Sequence, residues 1–396
     1  MAEPVRLVDW SKGIDNRSPD NRLQEGFARD IVNLDPGATM SSRVGYERVV
    51  ETEDCRAIMS LGKQILFVDG DQLKVLENGA VRTLATVAGA GPVAHCVHNE
   101  ELFISTANAM LRYDGRTLRD WGVPDVRYHP TIDVTNTTDN GRRLFAMTYV
   151  NQYGEEGGCT PPGSAPDGEY TFDIGYIPPG CRARIYVSPV NAKTLYLQRE
   201  IHSPGTYTVT RPVDDSAPLE TVNHWCPRPG SLMASSGGVI LMADDKAVFF
   251  TDPMSPHLVR YDRAFFQYPA RVNMLLSGLH GVYVSADKCY KLMGVGGNEP
   301  RQDTVLDYPA VDGTGTTTTT GQAVWVTRYG MANESTDPRE GVSETSNAFY
   351  LGEHEHGASG VVEHNGRRRL VATAKRTGDQ TGLAAADFFE AEVIRP

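Results

Sequence analysis

At 396 residues, with 39 glycines and 24 prolines, the chain can bury a large core and is punctuated for many short strands rather than for long helices. Its 38 basic and 50 acidic residues give a formal net charge of −12, which excludes a general phosphate-gripping surface; an acidic wall repels a passing polyanion. The six cysteines, Cys55, Cys96, Cys159, Cys181, Cys226 and Cys289, are scattered with no C-x-x-C pair, which excludes a disulfide framework and a zinc site and fits reduced thiols packed as small apolar residues.

The opening Met1-Ala2-Glu3-Pro4-Val5-Arg6 has no apolar h-region, so no secretory signal is expected, and no apolar run reaches membrane-spanning length. Assembly in a reducing cytosol is the expectation. Next come Gly13-Ile14-Asp15-Asn16, a short L-x-E-G-x-A-R-D stretch (residues 23–30), Val32-Asn33-Leu34-Asp35, and a segment ending in Gly45-Tyr46. Nothing in this stretch is catalytic chemistry.

Two segments then align with each other. Ala57–Leu61, Ile65–Gly70, Leu73–Gly79 and Val81–Leu84 correspond to Val93–Val97, Leu102–Ser105, Ala109–Gly115 and Thr117–Trp121. Each predicts four short strands split by Gly, Asn or Asp turns, at an offset of about 37 residues, the spacing of propeller blades. The middle breaks the pattern. Residues 145–157, 183–188, 195–199 and 207–209 alternate apolar and polar at period two between long Pro/Gly loops, which predicts an antiparallel β-sandwich, with a further pair of irregular blades as the alternative. Pro227 and Pro229 mark the return of the blade pattern: Val239–Ala243 with Lys246–Thr251, Gly281–Ser285 with Cys289–Gly294, Ala323–Arg328, and Arg367–Thr373 after the Asn365-Gly366 turn. One four-stranded blade cannot cover both of its faces, whereas blades stacked round an axis can. The expected fold is therefore all-β, a β-propeller of about six to seven blades, with propeller in residues 1–127, an inserted and separable β-sandwich in 128–226, and propeller again in 227–396.

Several groups invite a chemical reading. In Glu353-His354-Glu355-His356, with His364 near, the two histidines of the H-E-H triplet would share one face of a strand. No third ligand has a fixed spacing, so a solvated strand end is expected. Asp244, Asp245, Asp252 and Asp287 fall at blade turns, where Asp satisfies turn backbone. Gly294-Val295-Gly296-Gly297 follows a strand without opening a helix, so it is a loop and not a phosphate cradle. The threonine tract Thr314–Gly321 suits a strand or a flexible surface loop. Arg367-Arg368-Arg369 alternates faces in a strand, so it is not one basic patch. There is no Gly-x-Ser-x-Gly elbow and no Walker loop. No catalytic, cofactor-binding or metal-binding residue is assigned, no cofactor is expected, and the chain is not expected to be an enzyme.

Four pieces, in their order, resemble a known family. The N-terminal motif of residues 13–46, the segment Val248-Phe249-Phe250-Thr251-Asp252-Pro253-Met254-Ser255-Pro256-His257, the Val282–Ser285 strand leading to Tyr290–Gly294, and the closing Ala386–Pro396 strand resemble bacteriophage tail nozzle, or packaged-DNA stabilisation, β-propellers. The hairpin Tyr149-Val150-Asn151-Gln152-Tyr153-Gly154-Glu155-Glu156-Gly157 and the strand Arg184-Ile185-Tyr186-Val187-Ser188 resemble the fibronectin-type-III-like insertions of those proteins. One departure is the threonine tract, which stands where relatives show a Cys-Gly-x-x-Ser stretch. The resemblance implies a virion tail protein made in the bacterial cytoplasm. It implies a homo-oligomeric, hexameric ring below the portal and adaptor, lining the channel that double-stranded DNA crosses without tight binding, with no membrane segment. Two other functions compete: a tail-tip receptor-binding protein using the insertion as its binding module, and a propeller glycan hydrolase, whose S-x-D-x-G-x-x-W boxes are absent here.

Overall fold

The computed structural model describes residues 48–345 except 90 and 160, and outside that range short stretches at 13–14, 19–22, 24, 27–28, 34–35, 41–42, 354–364, 367–376 and 386–392. These stretches include four two-residue strands, β1 (Gly13–Ile14), β2 (Phe27–Ala28), β3 (Leu34–Asp35) and β4 (Ser41–Ser42), paired β1 with β2 and β3 with β4. The chain divides into two compact units, one of residues 55–267 with 295–299, the other of residues 1–54, 268–294 and 300–396.

The first unit begins with two antiparallel meanders of four strands. These are β5 (Cys55–Leu61), β6 (Gln64–Asp69), β7 (Gln72–Glu77) and β8 (Ala80–Thr86), then β9 (Ala94–His98), β10 (Glu101–Ser105), β11 (Met110–Tyr113) and β12 (Leu118–Asp120). The aligned repeats of the sequence are these two blades. The repeat extends to the turns. Gly62 and Asn99 hold equivalent places after the first strand of each blade, with φ of 59° and 48°, a region that glycine and asparagine enter at low cost. Period-two alternation turns Met59, Leu66, Val68, Leu73 and Val75 to one face of the first blade, where they pack on Leu102, Ile104, Leu111 and Tyr113 of the second. The opposite face of the second blade, with Ala94, Cys96 and Phe103, packs on a third. That third blade comprises β20 (Leu232–Ser236), β21 (Val239–Asp244), β22 (Ala247–Asp252), β23 (Ser255–Val259) and β24 (Phe265–Gln267). Its outer strand is split, with β23 pairing the end of β22 and β24 its beginning.

Between the second and third blades lies a two-sheet sandwich of β13 (Thr131–Thr135), β14 (Arg142–Asn151), β15 (Gly163–Pro166), β16 (Glu169–Ile174), β17 (Cys181–Val187), β18 (Tyr196–Ile201) and β19 (Gly205–Val209). One sheet has the order β15-β14-β17-β18 and the other β13-β16-β19. The run β14-β17-β18 has the order of strands C, F and G of an immunoglobulin-type sandwich, with β15 added beside β14. The inward residues Met147, Tyr149, Tyr170, Phe172, Ile174, Ala183, Ile185 and Val187 form its core.

The second unit repeats the blade pattern. Its sheets are β25 (Met274–Ser277), β26 (Val282–Ser285), β27 (Cys289–Met293) and β28 (Arg301–Leu306), then β29 (Thr316–Thr317), β30 (Ala323–Thr327), β31 (Gly330–Glu334) and β32 (Val342–Thr345), and a three-stranded sheet of β33 (His354–His364), β34 (Arg367–Arg376) and β35 (Ala386–Glu392). Met274, Tyr283 and Cys289 of one blade pack on Trp325 and Ala332 of the next, whose other face meets Leu370 and Ala372. The protein is thus all-β and of β-propeller type. The described residues provide six sheets in meander order and an inserted sandwich. Among them no helix is long and apolar enough to cross a membrane.

Candidate functional site: the junction of sandwich and blades

The G-E-E-G hairpin after β14 is shaped by Asn151. Its Oδ1 accepts the N–H groups of Tyr153 and Glu155, both at 3.0 Å, and its Nδ2 donates to Glu155 Oε2 at 2.7 Å. Asparagine fits here because its short amide can mimic a backbone turn. Neighbouring residues of an extended segment point in opposite directions, and the two glutamates follow that rule. Glu155 reaches the second blade, where its Oε1 lies 2.5 Å from Arg112 Nη1. Arg112 Nε also donates to Glu101 Oε2 at 2.8 Å, and Glu101 Oε1 accepts from Arg119 Nη2 at 3.0 Å. The Arg119 guanidinium lies 4.3 Å from the centre of the Tyr153 ring.

Glu156 turns back onto the sandwich. Thr148 Oγ1 and the Tyr186 hydroxyl donate to its Oε1 at 2.5 and 2.6 Å, and Arg184 Nη1 donates to its Oε2 at 2.8 Å. Burial acts to raise the Glu155 carboxyl, but the Asn151 amide and the Arg112 guanidinium outweigh it and hold the group below the usual range. Burial raises the Tyr186 hydroxyl, and the Glu156 hydrogen bond adds to that. Both oxygens of each glutamate accept hydrogen bonds, and through them Glu155 ties the hairpin to the second blade while Glu156 ties it to the sandwich.

The chain leaving the sandwich completes the joint. Thr221 Oγ1 donates to the Gly157 carbonyl at 2.8 Å, and Cys159 pairs in parallel with Val222. Gly158 passes so close to the His224 carbonyl that a Cβ would sit 1.6 Å from the oxygen, a position only glycine can hold. His224 Nε2 lies 2.5 Å from Asp252 Oδ2, Trp225 bridges to Val259, and Asp125 Oδ1 accepts the Cys226 N–H at 2.7 Å. Trp121 stacks edge-on against Phe103 at 5.0 Å and donates to the Pro256 carbonyl at 2.7 Å. His257 lies within electrostatic reach of Glu155, Arg112 and His224, and burial lowers its pKa more than the Glu155 charge raises it. The hairpin of residues 149–157 and the segment of residues 248–257, two motifs a hundred residues apart in the sequence, therefore meet in one place.

A second polar node holds two blades of the other unit together. Glu334, fully buried at the end of β31, accepts from the Leu279 and His280 N–H groups at 2.7 and 2.8 Å, the Tyr283 hydroxyl at 3.0 Å and the Ala323 N–H at 3.2 Å.

The residues singled out in the sequence fall as follows. Asp245 turns with φ of 47°, Asp252 is gripped by His224, and Asp287 accepts from the Tyr290 hydroxyl at 2.9 Å. Gly294 and Gly296 take φ of 66° and 85° in a loop, where Gly296 approaches the Gly237 carbonyl. Of the strand and the flexible loop expected for the threonine tract, the strand is found in part, as Thr316–Thr317 form β29 and pair with β30. Thr314 and Thr318 are buried, and their hydroxyls bond backbone, Thr314 Oγ1 donating to the Val311 carbonyl at 2.6 Å and Thr318 Oγ1 accepting the Gln322 N–H at 3.0 Å. The register shifts between His354 and His356, so two steps along β33 meet one step on β34. Arg367, Arg368 and Arg369 pair in register with His364, Glu363 and Val362; their side chains, and those of His354, Glu355 and His364, lie outside the described residues. Among the described residues no three His, Cys, Asp or Glu side chains are placed to hold a metal. All six cysteines are free thiols, with Cys96, Cys159 and Cys289 buried and Cys55 exposed. A pocket lined by Arg228, Pro229, Met242, Asp244, Phe249 and Tyr261 encloses about 40 Å³, room for roughly one water. Sequence reasoning missed Glu334, Arg112 and Trp121. For Arg112 a faint signal existed, a cation alternating with apolar Leu111 and Tyr113 in a blade strand.

No family model matches the chain, and no curated protein matches it. Solved structures similar to it include a streptogramin B lyase, 11% identical over 81% of this chain and 91% of the other with a TM-score of 0.34. BBS1N, in a complex with ARL6DN, is 12% identical over 82% and 90% with a TM-score of 0.33. The N-terminal domain of Nup159 is 12% identical over 84% and 77% with a TM-score of 0.27. At these identities and scores they assign no activity to this chain; its blade architecture rests on its own strand order.

Proposed function

We propose that this chain is a structural component of a bacteriophage tail, a ring-forming nozzle or hub protein whose blades line the DNA exit channel and whose sandwich is held at a fixed position on them. The observation that carries the reading is the convergence of two resemblance motifs. Glu155 from one reaches Arg112 of the second blade, and from the other the Pro256 carbonyl accepts from Trp121 while His257 lies near Glu155, at the joint between sandwich and blades. A part that must transmit load while a polyanion passes needs a stiff joint and a non-adhesive wall, and the net charge of −12 fits the second need. In this reading the protein acts without a cofactor, as a hexameric ring in the virion, next to the portal and adaptor, with double-stranded DNA in transit.

A reconstruction of the virion tests it. Six copies around the tail axis with carboxylates on the lumen are expected. Three copies, or copies on the periphery, would replace this reading with receptor binding through the sandwich. The purified protein should show no measurable affinity for duplex DNA at physiological salt; tight, salt-sensitive binding would instead indicate a DNA clamp.

A further inference from the structure

The four edges of the sandwich are not alike. In the four-stranded sheet, β15 is a short edge that ends in Pro166, which has no N–H to offer a new strand. The edge of β18 is covered by the returning chain, through Leu197 N–H to the Ala217 carbonyl at 2.9 Å and Leu219 N–H to the Leu195 carbonyl at 2.8 Å. In the three-stranded sheet, β13 carries Asp133 at its centre, and pairing two copies of it about that residue would set carboxylate against carboxylate.

The remaining edge, β19, has none of these guards. Its five residues, Gly205-Thr206-Tyr207-Thr208-Val209, include no charge and no proline. Tyr207 and Val209 pack inward against the sandwich core, while Thr206 and Thr208 are exposed. Among the described residues, no backbone hydrogen bond joins this strand to anything but β16. The triplet Thr206-Tyr207-Thr208 also reads the same in both directions. Antiparallel pairing of two copies about Tyr207 therefore sets threonine opposite threonine and tyrosine opposite tyrosine, both favourable cross-strand pairs.

We propose that β19 is a strand-addition edge whose partner is β19 of a second copy of this chain, joining two three-stranded sheets into one of six strands. The contact is two-fold and self-complementary, so it links copies in pairs; a cyclic ring needs a separate head-to-tail surface. Pro204 on one side and Pro212 on the other limit the ladder to a few residues, so the dissociation constant expected is on the order of 100 µM, that of a small interface.

Cysteine cross-linking of the full chain under mild oxidation, in a Cys55→Ser background that removes the exposed native thiol, tests both contact and register. In the proposed register residue 206 of one copy faces residue 208 of the other. The double variant Thr206→Cys/Thr208→Cys should therefore form a reducible dimer, while Thr206→Cys or Thr208→Cys alone should not, their Cα atoms lying beyond the roughly 7 Å a disulfide can span. Sedimentation should show the Thr206→Lys/Thr208→Lys variant losing the wild-type pairing, since four ammonium groups would crowd together. Because both threonines are exposed, folding is expected to survive, with far-ultraviolet circular dichroism as the check. Equal cross-linking by the single variants, no cross-linking by the double, or unchanged association of the lysine variant would overturn the proposal. A ring that persists in the lysine variant would leave the ring reading standing without this contact.

Discussion

Replacing Glu334 by glutamine tests whether a fully buried carboxylate is what fastens two neighbouring blades together. Glu334 has no exposed surface and takes four donors from three separate stretches of chain, Leu279 with His280, Tyr283 and Ala323. Gly278 lies so close that any Cβ there would be 2.4 Å from its Oε2, so the carboxylate fills the space that this glycine leaves open. Glutamine keeps the shape but removes the charge and turns one acceptor into a donor facing N–H or O–H groups. A hydrogen bond to a charged group contributes about 1.5–3 kcal/mol and a neutral one about 0.5–1.5, so the two donors that still meet an oxygen lose roughly 1 kcal/mol each, and the two that face the amide lose their acceptor at about 1–3 kcal/mol apiece. Relief from burying a charge offsets part of this. The expected net loss is about 3 kcal/mol. Tyr283→Phe removes only one of the four donors and should cost about 1 kcal/mol. Urea unfolding followed by tryptophan emission is the assay, because Trp325 stacks 5.3 Å from the Tyr283 ring that reaches Glu334. A Glu334→Gln midpoint indistinguishable from wild type, or a loss no greater than that of Tyr283→Phe, would refute the reasoning.

Three further outcomes are expected. A double-mutant cycle of Arg112→Ala with Glu155→Ala should give a coupling of about 1–3 kcal/mol in unfolding, since both side chains are largely enclosed, at 11% and 18% exposure; additivity would mean that the hairpin does not fasten the sandwich to the second blade. Stability should fall between pH 7.5 and 5.5, because burial holds His95, His98 and His257 below the ordinary imidazole value of about 6.5, and each therefore favours the fold fully above that pH and less as pH drops towards its lowered value; thermal melts across that window check the sign, and His257→Gln should flatten the slope. Gly158→Ala should abolish soluble protein or cost more than about 4 kcal/mol, as its Cβ would meet the His224 carbonyl, whereas Gly154→Ala, with φ of 84° and open space, should cost only about 1 kcal/mol; solubility and melting of the pair decide it.

The blades were legible because their signal is local. Alternation sets which side chains share a face, and turn residues such as Gly62 and Asn99 mark where a strand reverses, so short windows of sequence contain the whole argument. The threonine tract shows where that locality ends. A hydroxyl that satisfies a buried backbone group looks, in the sequence, the same as one that faces water, and only the fold brings the Val326 N–H to within 3.2 Å of Thr314 Oγ1. Glu155 and Glu156 lie between these cases. Their adjacency in an extended segment requires that they face opposite ways, but the Arg112 that receives one of them is brought there by the packing of a blade against a sandwich. Glu334 is the extreme: its four donors come from separate turns and strands, and no period or spacing in the chain connects them. The same distinction applies to β19. Its palindromic triplet and lack of charge can be read directly, but they acquire meaning only once the sheet order leaves that strand at an edge. Residues that bond side chain to side chain across long sequence distances are therefore where structure adds most to sequence in this protein, and they are also the residues that fix one module against another.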